Sequence, residues 1–380
     1  MKQTAHFGVG KMGRRWLEPL SENTDIGAII DPDPRSSRVA ERHGAEFFNS
    51  IATASDEGLG SQLSSSVAPT ADLWSITTPV YSHADLSAAG LFHDIPYLIT
   101  EKPLSIDPSS AEKLAAKEES QDSVGIVNYI ERMNPVVRTI VKKAGQSFSP
   151  TRLYHWRSKT SRNIHPYARN NLGHDLSEIH RLYQAVGRPF ELEPTTVSME
   201  TWEETNRSPD HSLRDIYDAG AHAELTDNAD AEITLRGSFY SNDERRYFMW
   251  VDDHDMKAFF GSTVERDHLT PIAARVGGKD QIDELYEAVE NGALVNDKSI
   301  EAKLADVDAD ILFQDAVSST DVLYDTVEVL LNNDEEGALA YYRDAATYER
   351  ILHDIYTVGG SSMYEEEARW LEEQTGSVQM

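Results

Sequence analysis

Near its start the chain reads Gly8-Val9-Gly10-Lys11-Met12-Gly13, a G-x-G-x-x-G run that follows a short apolar stretch, Ala5 to Val9, and opens a helical pattern. Each glycine has its own reason to be there. The first makes a tight turn, the second lets a pyrophosphate come close to the backbone, and the third lets helix and strand pack closely. The amides at the helix start then meet the negative charge of the ligand. An acid, Asp31, lies 18 residues past Gly13 at the end of a second apolar run. A carboxylate there accepts hydrogen bonds from an adenosine ribose and repels a 2′-phosphate, which points to NAD. Arg35 keeps NADP open, because it can pair with a 2′-phosphate if Asp31 turns away. Gly8, Gly10, Lys11, Met12, Gly13, Asp31 and Arg35 are therefore the first candidates for holding a dinucleotide.

A second set gathers further on. Thr78 and Pro79 end a fourth apolar run, with His83 beyond them, and Glu101-Lys102-Pro103 ends a fifth. In an open α/β sheet, ligands bind outside the carboxyl ends of the strands, so these ends converge on one crevice. A lysine at that edge reaches both a substrate hydroxyl and the nicotinamide region. Taken singly it would read as a solvated lysine before a proline-bounded loop.

These residues need a parallel sheet to position them. Over the first ~125 residues, short apolar runs alternate with amphipathic stretches, the pattern of βαβ units. The reading gives strands at residues 5–9, 26–30, 45–48, 71–76, 97–100 and 123–127, with helices over 10–20, 36–43, 83–91 and 108–118. Residues 50–70 read as a short helix and a loop. After Pro135 the texture changes. A helix is expected over 136–143 and a strand over 152–158. A further helix over 175–186 shows Leu176, Ile179, Tyr183 and Val186 on one side. Strands over 195–202, 231–239, 246–252 and 256–260 suggest a largely antiparallel sheet. Residues 204–229 read as a polar loop insertion, and the end of the chain as helices, the strongest over 340–356.

The order and spacing of the glycine run, Asp31, Thr77-Thr78-Pro79 with His83, and Glu101-Lys102-Pro103-Leu104 resemble the glucose–fructose oxidoreductase / inositol dehydrogenase (Gfo/Idh/MocA) family. The run from Val124 to Pro135 resembles the segment with which that family leaves its nucleotide domain. The resemblance covers the first ~135 residues. It implies an α/β Rossmann domain with a doubly wound parallel sheet over 1–128. It implies an α+β domain with a large open mixed or antiparallel sheet over 129–380, whose C-terminal helices pack back on the first. It further implies hydride transfer between a nicotinamide and a carbinol carbon of a sugar, sugar derivative or cyclitol, with Lys102 on the substrate hydroxyl.

The family also places an Asp and a His near the start of a helix in its second domain. Here one register puts His174 and Asp175 at that position. Another puts Ser177 where the family often has His, with His180 a turn away. The first is preferred, because the helix edge faces a cleft. Asn128, Arg157 and His174 join Lys102 as candidate substrate contacts, and Arg157 and Arg162 would suit an anionic substrate group. His165 and Tyr167 lie nearby. Asp252-Asp253-His254-Asp255 reads as a solvated loop, because neighbours on a strand point to opposite faces, and no metal site is expected. An alternative reading is a nucleotide-binding member without catalysis, serving as a sensor or assembly partner.

Composition bounds the rest. The 380 residues carry 65 Asp and Glu against 35 Lys and Arg, a formal net charge of −30. Nucleic acid and anionic membrane surfaces both need clustered cations, so neither is an expected partner. With no cysteine, thiolate nucleophiles and Cys-ligated metals are excluded. The first nine residues read as a strand, not a signal peptide, and the chain reads as cytoplasmic. Few lysines, 12 against 23 arginines, in so acidic a chain suggest a protein working in high salt, where the Debye length falls to about 3 Å at 1 M. A homodimer or homotetramer through the C-terminal sheet is expected, on the ground that Phe248, Trp250 and Phe259 make an apolar face that needs cover.

Overall fold

The computed structural model describes residues 1–49, 71–133, 137–138, 141, 149–158, 171–203, 216–238, 245–252, 258–263, 268–269, 274–275, 311–312, 317–332 and 337–360. They fall into two compact units, one built on Met1–Met133 with Thr320–His353, the other on Asn134–Ser319.

The first unit is a sheet of strands β1 (Gln3–Phe7), β2 (Asp25–Ile30), β3 (Glu46–Phe48), β4 (Leu73–Ile76), β5 (Tyr97–Glu101) and β6 (Val124–Asn128). Its order is β6-β5-β4-β1-β2-β3, all parallel. This is the doubly wound arrangement, in which β1 and β4 flank the switch point. All four residues of β4 are buried, as in a strand covered on both faces. Helices α1 (Lys11–Asn23), α2 (Ser37–His43), α3 (His83–Phe92) and α4 (Pro108–Glu119) follow strands. Local chemistry sets their ends. Asp107 caps α4 by accepting from the Ser109 and Ser110 amides, and Gly44 closes α2 at φ 67°. Helix α1 runs through Pro19, beyond its expected end, because Trp16, Leu17 and Leu20 bury one of its faces.

Ala340–Tyr341 adds an antiparallel strand beside β6, ahead of a helix over Tyr342–Val358. The Tyr342 hydroxyl shares hydrogen bonds with Thr100 and Ser87. Arg132, buried, donates to the Gly337 carbonyl at 2.8 Å and to the Tyr348 hydroxyl at 2.8 Å.

The second unit is a sheet in the order β12-β11-β7-β10-β9-β8, from β7 (Pro150–Ser158), β8 (Leu192–Glu203), β9 (Ile216–Asp227), β10 (Glu232–Ser238), β11 (Arg245–Asp252) and β12 (Ala258–Thr263). It is mixed, because β10 lies parallel to β7 and the other neighbours are antiparallel. Helix α5 (Gly173–Val186) ends on Gly187 at φ 69°. Strand β9 corrects the expectation of a loop over 216–227, while residues 204–215 lie outside the described residues. Its inward residues are Ala221, Ala223 and Leu225, alternating with His222, Glu224 and Thr226. The period of two is present, but alanine carries it too weakly to stand out from the polar face.

Of the residues on which the face argument for association rests, Trp250 is placed differently from expectation. The ladder pairs Trp250 with Leu153 and with Phe259, and Phe248 with His155. Trp250 is fully buried and donates to His155, so it belongs to the covered side of the sheet. The opposite side carries Tyr154, 1% exposed, among the polar Arg152, Glu232, Thr234, Arg236, Glu224 and His222. The side chains of Phe248 and Phe259 lie outside the described residues. Among the described residues no helix is long and apolar enough to cross a membrane.

Candidate functional site

The three glycines do different work. Gly8 has φ 89°, and a Cβ there would lie 2.9 Å from the Thr77 carbonyl oxygen. At Gly13 a Cβ would meet the Gly8 carbonyl oxygen at 2.0 Å and Thr77 Oγ1 at 2.6 Å. Both are demanded by the packing of β1, α1 and the end of β4. Gly10 is different. Its φ is −68°, which any residue adopts, and nothing lies within 4 Å of a Cβ built on it. Nothing among its described surroundings calls for glycine there. The space it leaves open, at the start of α1, suits a ligand that must approach the backbone. Lys11 is exposed and Met12 half-buried beside it.

Asp31, buried at the end of β2, ties this loop to its own. Its Oδ2 accepts from the Val9 amide at 2.6 Å and its Oδ1 from the Asp33 amide at 2.8 Å. Arg35 is 87% exposed and its guanidinium rests on Asp33, with Nε 2.9 Å from both carboxylate oxygens. The bonds to Arg35 hold the Asp33 carboxyl below its usual range and raise the arginine in turn. The arginine charge is thus matched by Asp33, while Asp31 stays on the glycine loop.

The ends of β4 and β5 complete this edge. Thr77 Oγ1 donates to the Gly8 carbonyl at 2.7 Å. Ser82 Oγ donates to Thr78 Oγ1 at 2.7 Å and to the Pro79 carbonyl at 2.9 Å. Glu101 Oε1 accepts from Trp16 Nε1 at 2.8 Å and Asn128 Nδ2 at 2.7 Å. Burial pushes the Glu101 carboxyl above its ordinary value, against the pull of those two donors and of Lys102. Glu101 and Asn128 therefore bind α1, β5 and β6 together at the strand ends. Lys102 follows half-buried, joined to Pro103 by a cis peptide. His83 is buried, with Nε2 2.8 Å from the Thr78 carbonyl and Nδ1 2.7 Å from the Pro103 carbonyl.

In the second unit, His174 and Asp175 occupy the first turn of α5 and are buried. The helix is not simply two-faced, since Ser177 and Glu178 are buried as well. Asp175 and Glu178, three residues apart, lie on one side of the helix. Their carboxylates stand 3.5 and 3.7 Å from His155 Nδ1 on β7. All three side chains are at most 1% exposed. Their ligand atoms lie within 4.8 Å of one another, a spacing that can hold a cation. The ring's other nitrogen argues against that use. Trp250 Nε1 donates to His155 Nε2 at 2.9 Å, so Nε2 offers its lone pair and the ring proton sits on Nδ1. Metal-bound histidines instead donate their second N–H outward. The sequence reading passed over this cluster. Its signal was His155 on an alternating strand with two acids at helical spacing.

Ser177 Oγ donates to the His174 carbonyl, and His180 stacks on Phe190 at 4.4 Å between centroids. Arg157 lies in β7, but its side chain is outside the described residues. So are Arg162, His165, Tyr167, the 253–255 cluster, the stretch 50–70 and most of the helix expected over 136–143.

Residues 2–129 match the model of an oxidoreductase family with an NAD-binding Rossmann fold, GFO_IDH_MocA. No curated protein matches by sequence. Among solved structures, the fold resembles a UDP-N-acetylglucosamine 3-dehydrogenase from Acidithiobacillus ferrooxidans at 16% identity and TM-score 0.64, covering 95% of this chain and 97% of the other. An oxidoreductase from Agrobacterium radiobacter in complex with NAD+, L-tartaric acid and magnesium is similar at 14% identity and TM-score 0.65, over 94% and 96%. A 3-ketoreductase from Actinomadura kijaniata, in complex with NADP and TDP-benzene, is similar at 14% identity and TM-score 0.64, over 94% and 97%.

Proposed function

We propose, from the premise that residues 2–129 belong to the Gfo/Idh/MocA oxidoreductases as their NAD-binding Rossmann domain, that the chain oxidises or reduces a secondary alcohol carbon of a sugar, sugar derivative or cyclitol. The observation that carries the reading is the open position at Gly10, on the same sheet edge as Asp31 and Lys102. Gly8, Gly10 and the α1 amides would take the pyrophosphate, and Asp31 the adenosine ribose. NAD is favoured over NADP because the Arg35 charge is matched by Asp33. When bound, the nicotinamide supplies the hydride acceptor or donor. The Lys102 ammonium would hold the substrate oxygen and stabilise alkoxide charge. A histidine ring is suited to receive the hydroxyl proton near neutral pH, and His174 is the proposed acceptor, with Asp175 beside it.

A second reading, a member with an altered catalytic centre acting as sensor or assembly partner, draws on one observation. Asp175 is held against His155 inside its own unit. The test is NAD reduction over a panel of sugars, nucleotide sugars and cyclitols, from near zero to several molar KCl. Turnover that rises with salt is expected of so acidic a chain. Tight NAD binding with no turnover on any panel member would favour the second reading.

A further inference from the structure

The backbone ladder between β4 and β5 ends at the pair Ile76–Thr100, two residues short of Lys102. Past that point the two strand ends are joined by a side chain. His83 opens α3, is 2% exposed, and lies with its ring between two main-chain carbonyls. Thr78 O, after β4, is 2.8 Å from Nε2, and Pro103 O, directly after Lys102, is 2.7 Å from Nδ1. Both partners are acceptors only. The neutral ring can donate to one of them and the imidazolium to both. In either state the ring is a strut between the loop that carries Thr78 and the loop that carries Lys102, and both its polar atoms are directed at protein carbonyls.

We infer that His83 is a positioning residue for Lys102, fixing the main chain from which that side chain springs, and is not a contact to the dinucleotide. The inference rests on the reading of Lys102 as the residue that holds the substrate oxygen. A misplacement of about 1 Å at a reacting group lowers turnover by roughly 100-fold, so a strut this close to Lys102 bears on rate and not on cofactor affinity.

The test uses the full chain and two variants. His83→Leu removes both bonds, and His83→Gln keeps one donor should the leucine variant fail to fold. Lysines are labelled by reductive methylation with 13C-formaldehyde, and the Lys102 resonance is identified by its loss in Lys102→Arg. The expected result is a displaced Lys102 resonance in both variants. Turnover falls roughly 100-fold for leucine and less for glutamine, with the NAD dissociation constant unchanged. An unmoved Lys102 resonance would overturn the inference, as would NAD affinity falling in step with turnover. The resonance needs no substrate, so the strut is tested even if no sugar is oxidised.

Discussion

The two units hold their polar residues in opposite ways. At the edge of the first sheet, groups are fixed by backbone. Gly8 and Gly13 are forced by close approach, Asp31 is held by two amides, and His83 lies between two carbonyls. Open space is left at Gly10 and a half-buried lysine at position 102. At the start of α5 the polar groups are fixed by one another. His155, Asp175, Glu178 and Trp250 come together only because β7, β11 and α5 pack in one register, and their side chains are almost wholly buried. The first arrangement leaves room beside the start of α1. The second gathers its ionisable groups inside the unit, where packing of β7, β11 and α5 sets their spacing.

The contrast is broken most strongly at Lys102. Lys102→Met should lower turnover by roughly 10³-fold, the scale of losing a group that stabilises developing charge, with NAD affinity within about twofold. Steady-state kinetics and NAD titration check it, and near-normal turnover would take Lys102 out of the chemistry. Next comes Asp31. Asp31→Asn keeps an acceptor for the Val9 amide and removes the charge. The NAD-over-NADP preference should then fall by roughly tenfold or more, given ~1–4 kcal/mol for a like-charge contact near a surface. A preference for NADP in the parent protein would instead assign the ribose pocket to Arg35 and its neighbours.

The smallest expected effect lies away from both sites. Glu118 is pushed up to about 7, chiefly by burial, while it accepts from the Gly125 amide at 2.7 Å. Its folded value lies above its unfolded one, so its contribution to stability is complete below the unfolded value of 4.5 and is lost as pH rises through 7. Glu118→Gln mimics the protonated group and should add about 1–2 kcal/mol at pH 8 and little at pH 5. His6 works the other way. Burial lowers it to about 4, so stability is lost as pH falls from 6.5 toward 4. Thermal midpoints across pH 4 to 8 separate the two. A midpoint that rises equally at all pH values in Glu118→Gln would contradict this account of Glu118.

Legibility followed the same division. The first unit was readable because its constraints are local: a glycine fingerprint, an acid at a strand end, and the proline-bounded turn after Lys102 are each set within a few residues. The second was readable in outline only. Strand β9 hid behind alanines, since a period of two carried by Ala221 and Ala223 has little contrast. Trp250 was assigned to the open face because the side of a strand that is covered depends on register against distant partners, here Leu153 and Phe259. The same holds for His155, whose acidic neighbours arrive from a helix with no local cue in the strand.

The central claim is that the glycine loop is shaped for a ligand at one position and for the fold at another. The most direct measurement pairs Gly10→Val with Gly13→Val, each followed by thermal midpoint and by NAD titration. Gly10→Val should keep its midpoint within a few degrees and lose NAD binding, because its Cβ enters open space. Gly13→Val should lose roughly 3 kcal/mol or fail to fold, because its Cβ would lie 2.0 Å from the Gly8 carbonyl oxygen. Unchanged NAD affinity in a folded Gly10→Val protein would contradict the account.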